Sequence, residues 1–163
     1  VTPTLSAAVS SQLLALASIG TAPIRLVINS PGGHVESGDT VPDVIRFIEP
    51  DVQVLGTGWV ASAGALSFSA TPRHLRCALP NTRFMLHEPS GGMQGQASDV
   101  EIEARQILAM RTRLIRIFAE ATGRSPEQVT LDIQRNHWLT AREALAYGLV
   151  GKVIERATEL PTP

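Results

Sequence analysis

Hydrophobic positions along the chain switch repeatedly between helical and strand-like spacing, and this alternation predicts an α/β fold. Residues 4–18 repeat apolar side chains on one helical face, whereas the β-branched run that follows has the length of a buried strand. The predicted strands cover residues 25–29, 51–55, 74–79, 83–86 and 150–155. The predicted helices cover residues 4–18, 35–48, a segment starting at 62, 98–122, a segment starting at 126, and 140–148.

Three helix starts carry capping signals. Ser98 with Glu101 and Thr140 with Glu143 have the spacing of a capping box, in which each side chain binds the other residue's backbone N–H. Ser125 precedes Pro126, which suits a cap followed by proline in the first helical position. The segment 88–97 contains three glycines and little apolar content, so we expect a loop or a mobile arm.

Composition narrows the class of protein. The chain has 163 residues, of which 44% are hydrophobic, so it predicts one globular domain with a substantial core. A net charge of −1 gives no electrostatic reason to expect nucleic acid or an anionic membrane as partner. No apolar run is long enough to span a bilayer. The single cysteine, Cys77, indicates a reducing and therefore cytoplasmic location, and the absence of an initial methionine suggests that the natural N-terminus is missing.

The segment GTGWVASAGALSFSA, residues 56–70, has the composition of a strand-to-helix turn built around Ser62. Small residues let the backbone approach closely and leave the hydroxyl uncovered. We therefore interpret Ser62 as a candidate acyl-transfer nucleophile. A tightly packed helix in an α/β core explains the same composition, and on this segment alone that alternative is favoured.

Two motif readings of this segment are weaker. Gly56, Gly58 and Ala61 match the loose dinucleotide fingerprint, but that site requires an acid about 20 residues later, and no carboxylate lies between this segment and Glu88. The hydrolase elbow G-x-S-x-G fits in part, because Val60 stands where its first glycine would be.

The remaining components of serine hydrolysis are only partly present in the sequence. His87 ends a predicted strand and is a candidate base, and N–H groups near Gly32 and Ala63 are candidate oxyanion donors, but no orienter for the histidine stands out. A serine–lysine dyad is disfavoured, because the only lysine is Lys152. The four histidines are scattered and no metal-binding spacing appears, so we expect no metal.

Several motifs in the same order and spacing resemble the proteolytic subunit of the Clp protease, ClpP. They are INSPGG (28–33), VASAGA (60–65), LPNTRFMLHEP (79–89), GGMQGQASDVEIEA (91–104) and AREALAYGLVGKVI (141–154). The resemblance implies a crotonase-like α/β fold, one peptidase domain over 1–163, and a protruding strand–helix handle at about 88–121. It also implies heptameric rings, stacked in pairs, and an N-terminal strand and axial loop that are absent from this sequence.

The resemblance also implies roles for individual residues. Ser62 corresponds to the nucleophile, His87 to the base, and the N–H groups of Gly32 and Ala63 to the oxyanion hole. Extended substrate is expected to pair with backbone at four positions, which are Gly33, His34, Pro89 and Ser90.

Three departures from the family pattern stand out. The triad aspartate corresponds to Asn136, which can accept a hydrogen bond from imidazole but brings no charge; Asp132, one helical turn earlier, is a less favoured substitute. In the family an acid–arginine pair usually joins the rings, and in this sequence the corresponding residues are Gln134 and Arg135, so the acid is missing. The strand that often carries tyrosines for docking the ATPase reads Arg-Leu-Val at 25–27.

Three hypotheses follow. The leading one is a self-compartmentalising serine endopeptidase that cuts unfolded polypeptide fed by a hexameric AAA+ unfoldase; the unfoldase uses ATP, and this chain needs no cofactor. The second is a low-activity or regulatory ring subunit that works beside an active ClpP paralogue, and Asn136 and Gln134 motivate it. The third is a crotonase-fold acyl-CoA enzyme, which no feature of the sequence singles out.

Overall fold

Helices and strands alternate along the chain. The structure, a computed structural model, describes residues 1–89 and 94–161, and for 35–37 the backbone alone. The helices are α1 (Pro3–Ile19), α2 (Val35–Phe47), α3 (Ala63–Ser69), α4 (Ala97–Thr122), α5 (Pro126–Asp132) and α6 (Ala141–Tyr147). The strands are β1 (Ile24–Ser30), β2 (Val52–Ala61), β3 (Arg76–Ala78), β4 (Arg83–Leu86), β5 (His137–Thr140) and β6 (Lys152–Val153), and 3₁₀ turns lie at Arg73–Leu75 and Ala157–Glu159.

The strands form one mixed sheet centred on β2. The sheet order is β5-β4-β2-β3-β6, and β1 also pairs with β2. The pairs that β2 makes with β1, β3 and β4 are parallel, and so is β3 with β6, whereas β4 and β5 are antiparallel. The predicted α/β class is therefore confirmed.

The long strand β2 divides the sheet at the position that matters for the site. Its residues 54–56 pair with β3, and its last three residues, 59–61, pair with β4. Consequently the carboxyl ends of β2 and β4 lie side by side, which is where ligands bind in open parallel sheets. Helix α3 follows β2 directly, and all seven of its residues are buried.

The core lies between the sheet and the helices that cover it. Its largest fully buried aromatic side chains are Phe68 on α3, Phe84 on β4 and Phe118 on α4. Phe68 and Phe84 meet edge to face with ring centroids 5.1 Å apart, an arrangement that aromatic pairs prefer. This contact fixes α3 against β4. These are the two elements next to Ser62 and His87.

Several local predictions differ from the structure. Strand β2 runs on through Ala61 instead of ending at residue 55, because its last residues pair with β4. The predicted strand 74–79 begins as a 3₁₀ turn, and β5 was not predicted. The helix expected from Ser98 begins at Ala97 with Gln96 as its cap and no side-chain capping bond, so the first capping box was wrong. The caps at Ser125 and Thr140 are confirmed.

Helix α4 is buried along only part of its length. Its buried residues are Leu114, Ile117, Phe118, Ala119 and Thr122, all in the second half. None of residues 97–108 is buried, and the apolar side chains of Ile102 and Leu108 are 56% and 61% exposed. A half-exposed helix is compatible with the predicted handle at 88–121, which stays a prediction because it includes residues 90–93, outside the described part of the chain.

Candidate active site

Ser62 occupies a sharp turn between β2 and α3. Its backbone angles are φ 53° and ψ −120°, and among the described residues it is the only non-glycine residue with positive φ. Such a conformation is unfavourable for a residue with a Cβ and persists where surrounding structure holds it. Here the Ser62 N–H donates to the carbonyl of Met85 on β4 at 2.9 Å. The turn therefore holds the hydroxyl at the edge of the sheet, as predicted from the small residues around it.

Glycines pack against the serine turn because nothing larger fits. A Cβ on Gly32 would lie 2.6 Å from the Ser62 Cβ, and Gly32 itself has φ +104°. A Cβ on Gly38 would lie 2.7 Å from the Cβ of Ala63. The INSPGG turn and the N-terminal part of α2 thus press directly onto the segment that carries Ser62.

His87 lies within hydrogen-bonding distance of Ser62. Its Nε2 is 2.8 Å from the Ser62 Oγ, although the two residues are 25 positions apart in sequence. Strand β4 delivers the histidine, because it pairs with the end of β2 immediately before both side chains. Burial lowers the pKa of His87, while the nearby Glu88 carboxylate acts in the opposite direction. A neutral imidazole beside a hydroxyl is the arrangement that a general base requires.

Asn136 lines the same cavity as His87 but makes no hydrogen bond to it within the described part of the chain. Together with Gln134 and Arg135 it lines a cavity of about 510 Å³ that His87, Glu88 and Pro89 also line. The Asn136 side chain is exposed, and no hydrogen bond between it and His87 exists among the described residues. The predicted orienter therefore shares a cavity with His87 but is not hydrogen-bonded to the imidazole.

The alternative orienter, Asp132, is occupied elsewhere. Its carboxylate accepts a hydrogen bond from the Tyr147 hydroxyl at 2.7 Å and another from the Gln128 side chain at 2.7 Å. Burial and the bond to Asp132 raise the pKa of Tyr147, which keeps its hydroxyl a donor. These bonds anchor Asp132 to α6 and so leave it a poor substitute for Asn136.

The expected oxyanion donors are the N–H groups of Gly32 and Ala63, and the N–H of Gly33 lies beside the first of them. The Gly32 N–H already donates to the Ser30 Oγ at 3.2 Å. The Gly33 N–H has no acceptor within the described part of the chain. Ala63 is the first residue of α3, so its N–H has no acceptor within the helix.

The predicted substrate-binding positions are only partly described. His34 donates its backbone N–H to the carbonyl of Val1 at 2.9 Å, and Gly33 lies so close to Val1 that a Cβ would overlap its backbone. Pro89 lines the cavity beside His87. Ser90 lies outside the described residues, so the prediction for it stays untested.

An ion pair links the histidine strand to α4, and the sequence analysis did not predict it. The Glu88 carboxylate accepts a hydrogen bond from the Arg111 Nε at 2.5 Å, and the Glu88 N–H donates to the carbonyl of Ile133 at 2.9 Å. Glu88 thereby connects the end of β4 to both α4 and the end of α5. Its position directly after His87 was visible in the sequence, but the partner lies 23 residues away and depends on tertiary packing.

The described part of the chain offers neither a metal site nor a membrane-spanning helix. Apart from the side chains of 35–37, residues 1–89 and 94–161 contain no group of three or more histidine, cysteine or acidic side chains placed to hold a metal ion. None of the helices in these same ranges is both long and apolar enough to cross a membrane.

Comparison with known proteins decides the family. The model of the Clp protease family matches residues 1–157. The chain belongs to the Clp protease family. This Clp-type proteolytic subunit is 54% identical over 160 residues to ATP-dependent Clp protease proteolytic subunit 3 of Rhizobium meliloti (strain 1021), covering 98% of this chain and 82% of that one. It is 56% identical over 155 residues to proteolytic subunit 2 of Pseudomonas aeruginosa, covering 95% of this chain and 77% of the relative.

A solved structure agrees with the fold of this Clp protease subunit. A ClpP1 mutant of Listeria monocytogenes, which carries an asparagine-to-aspartate substitution, superposes with a TM-score of 0.92 at 49% identity. The match covers 98% of this chain and 90% of that one. The expected ClpP-like architecture and the function of a Clp-type peptidase subunit are therefore confirmed.

Proposed function

We propose that this Clp protease subunit hydrolyses peptide bonds as a serine endopeptidase, with Ser62 as nucleophile and His87 as base. The observation that carries the proposal is the 2.8 Å separation of Ser62 Oγ and His87 Nε2 at a strained turn. In that geometry the neutral imidazole takes the hydroxyl proton as Oγ attacks a carbonyl carbon. His87 then gives the proton to the leaving amine, and water hydrolyses the acyl-enzyme by the same route in reverse.

The negative charge of the tetrahedral intermediate requires donors beside Ser62. Ala63 supplies one N–H, and the turn at Gly32 and Gly33 supplies the second. Within this turn the Gly32 N–H already donates to Ser30, so the Gly33 N–H is the freer of the two glycine donors. Removing one such donor in a serine protease lowers kcat by about 10²–10³.

Asn136 is the proposed orienter of His87. When Nε2 accepts the serine proton, Nδ1 carries a hydrogen, and we assign the Asn136 amide oxygen, which lines the same cavity, as its acceptor. An amide holds the ring without stabilising the imidazolium by charge. We therefore expect slower turnover than an aspartate in this position would give.

A direct test is phosphonylation of the assembled particle by a fluorophosphonate, in which the serine oxygen displaces fluoride from phosphorus. Wild type should label at a single serine and cleave an unstructured peptide, and Ser62→Ala should do neither. Ser69→Ala, which removes a hydroxyl from the other end of α3, is the matched control and should label like wild type. Labelling that survives Ser62→Ala would contradict the assignment of the nucleophile.

A second candidate function is that of a low-activity subunit that depends on an active paralogue. The exposed Asn136 side chain, which makes no hydrogen bond to His87, favours it. Assembled wild type would then be silent alone and gain activity either from the Asn136→Asp substitution or from mixing with the paralogue. An active homo-oligomer would eliminate this candidate.

The wider setting is proposed from the family alone. The subunits form heptameric rings, stacked in pairs, and receive unfolded polypeptide from a hexameric AAA+ unfoldase in the cytoplasm. ATP is hydrolysed by that partner, and this chain uses no cofactor. The names of the relatives, which describe an ATP-dependent protease, support this proposal.

A further inference from the structure

Arg76 is a buried cation whose hydrogen-bonding capacity is mostly unused. Its residue is 2% exposed, and its Nη2 donates to the carbonyl of Ala121, at the end of α4, at 2.7 Å. Its Nε and Nη1 are buried and have no partner among the described residues. A guanidinium has no lone pair and cannot lose its charge readily, so unpaired donors at this depth are strongly unfavourable unless something outside the chain accepts them.

Arg76 lines a cavity that two more arginines share. The cavity, of about 430 Å³, lies between the 3₁₀ turn at 73–75 and the carboxyl end of α4, and Arg46 and Arg73 also line it. Arg73 donates to the carbonyls of Val150 at 3.3 Å and Leu145 at 3.1 Å, so its guanidinium is held in place. Burial, and then the nearby Arg73, lower the pKa of Arg76 to about 10.

The cavity lacks negative charge to balance these cations. Glu120 is the only carboxylate among its lining residues, and that carboxylate lies 3.9 Å from Arg116, with 67% of its side chain exposed. A water molecule could satisfy a single donor but would leave the repulsion between Arg73 and Arg76 in place. A divalent oxyanion satisfies several guanidinium donors at once and offsets the charge.

We propose that the cavity lined by Arg46, Arg73 and Arg76 binds a small tetrahedral oxyanion of the phosphate class. The site is distinct from the catalytic one, because Ser62 precedes the first residue of α3 whereas Ser69 and Ala70, at its other end, line the cavity. A seven-residue helix is about 10 Å long, so the bound anion would lie roughly that far from the serine turn.

Thermal unfolding in phosphate tests the site. The assembled protein is heated in sodium phosphate and in sodium chloride of equal ionic strength. Phosphate at ten times its dissociation constant should raise the unfolding midpoint by roughly 3–6 °C. Sulfate should act like phosphate, and acetate, a monovalent planar anion, should have less than a tenth of its affinity by calorimetry.

Variants identify the residues responsible. Arg73→Gln should lower the apparent affinity for phosphate, as read from the midpoint shift, at least tenfold. Arg76→Met should abolish the phosphate-dependent shift. Because a buried unpaired charge is unfavourable, Arg76→Met should also unfold no earlier than wild type in chloride. Arg142→Gln removes an exposed arginine outside the cavity and should retain the full phosphate response.

Three results would overturn the proposal. They are a wild-type midpoint that does not depend on phosphate, an equal response in Arg73→Gln and Arg142→Gln, or acetate binding as tightly as phosphate. If Arg76→Met fails to fold, the Arg73→Gln comparison still decides. Peptidase activity is not needed for any readout, so the test stands apart from the serine mechanism.

Discussion

At the scale of single residues, the site depends on how closely Gly32 approaches Ser62. The space between them excludes even a methyl group, and Gly32 adopts a φ that side chains rarely allow. A serine held in an unfavourable backbone conformation needs such support, because any relaxation would move its Oγ away from His87.

Gly32→Ala should therefore inactivate the site. The new Cβ would displace the Ser62 side chain, and a misplacement of about 1 Å is enough to lower turnover roughly 10²-fold. The measurement is the rate of fluorophosphonate labelling, with circular dichroism to verify folding. Gly20→Ala is the control, since nothing lies within 4 Å of the Cβ it would add. Equal labelling rates in the two variants would show that the close approach is not required.

The pH dependence of activity follows from the environment of His87. Burial holds the pKa of His87 below its ordinary value, so the imidazole that we propose as the base stays neutral to a lower pH than an imidazole in water would. Because an added carboxylate favours the imidazolium, Asn136→Asp should move the acidic limb of kcat/KM to higher pH. It should also raise kcat at neutral pH by at least about 10-fold.

The control for that change is Asn81→Asp, which adds the same charge at an exposed turn. Its pH profile should overlay that of wild type. If Asn136→Asp leaves both the limb and kcat unchanged, Asn136 does not orient His87.

At the scale of elements, Glu88 and Arg111 couple the histidine strand to α4. The two side chains are 37% and 33% exposed, so the pair is partly shielded from water and worth more than a fully solvated one. Because Glu88 follows His87 directly, this contact ties the end of β4, which positions His87, to the helix whose first half is exposed.

A double-mutant cycle with Glu88→Gln and Arg111→Gln should reveal this coupling. We expect about 0.5–1 kcal/mol between the two sites, measured by thermal unfolding. The pair Glu101–Arg105, on the exposed half of the same helix with side chains 64% and 74% exposed, serves as the control and should give about 0.3 kcal/mol. Coupling at Glu88–Arg111 that does not exceed the control would argue against a tether.

Secondary structure was predictable where local signals determine it, and it was not predictable where pairing across the sheet determines which residues form a strand. Helix α6 begins at Thr140 with the expected capping box, because both partners lie within one turn. The same pattern at Ser98 failed, since the helix begins one residue earlier. Strand β5 gave no strong local signal and exists because residues 137–140 pair with β4.

At the scale of the whole molecule, the exposed half of α4 belongs to the predicted handle, through which we propose that two rings join. Leu108 is 61% exposed there, which is unfavourable for a leucine in an isolated subunit. If ring pairing covers Leu108, the burial of this side chain in every subunit stabilises the pair of rings.

Leu108→Asp should accordingly weaken the association of rings. An aspartate would lose the apolar burial and would have to be desolvated, so light scattering after size exclusion should show single rings replacing double ones. Glu103→Gln, a conservative change on the same half of α4, should leave the mass unchanged. Double rings that persist in Leu108→Asp would place Leu108 outside the ring contact.

The sequence by itself determined the α/β class, the serine turn, and the family to which the chain belongs. The fold class and the turn follow from local composition and from helical and strand spacing, and the family follows from several motifs that occur in the same order and spacing. Only the tertiary structure decided that His87 reaches Ser62, that Asp132 is held by Tyr147, and that Arg76 is buried with donors unpaired. Such contacts join residues far apart in the chain, and their distances depend on how β2, β4 and the covering helices pack.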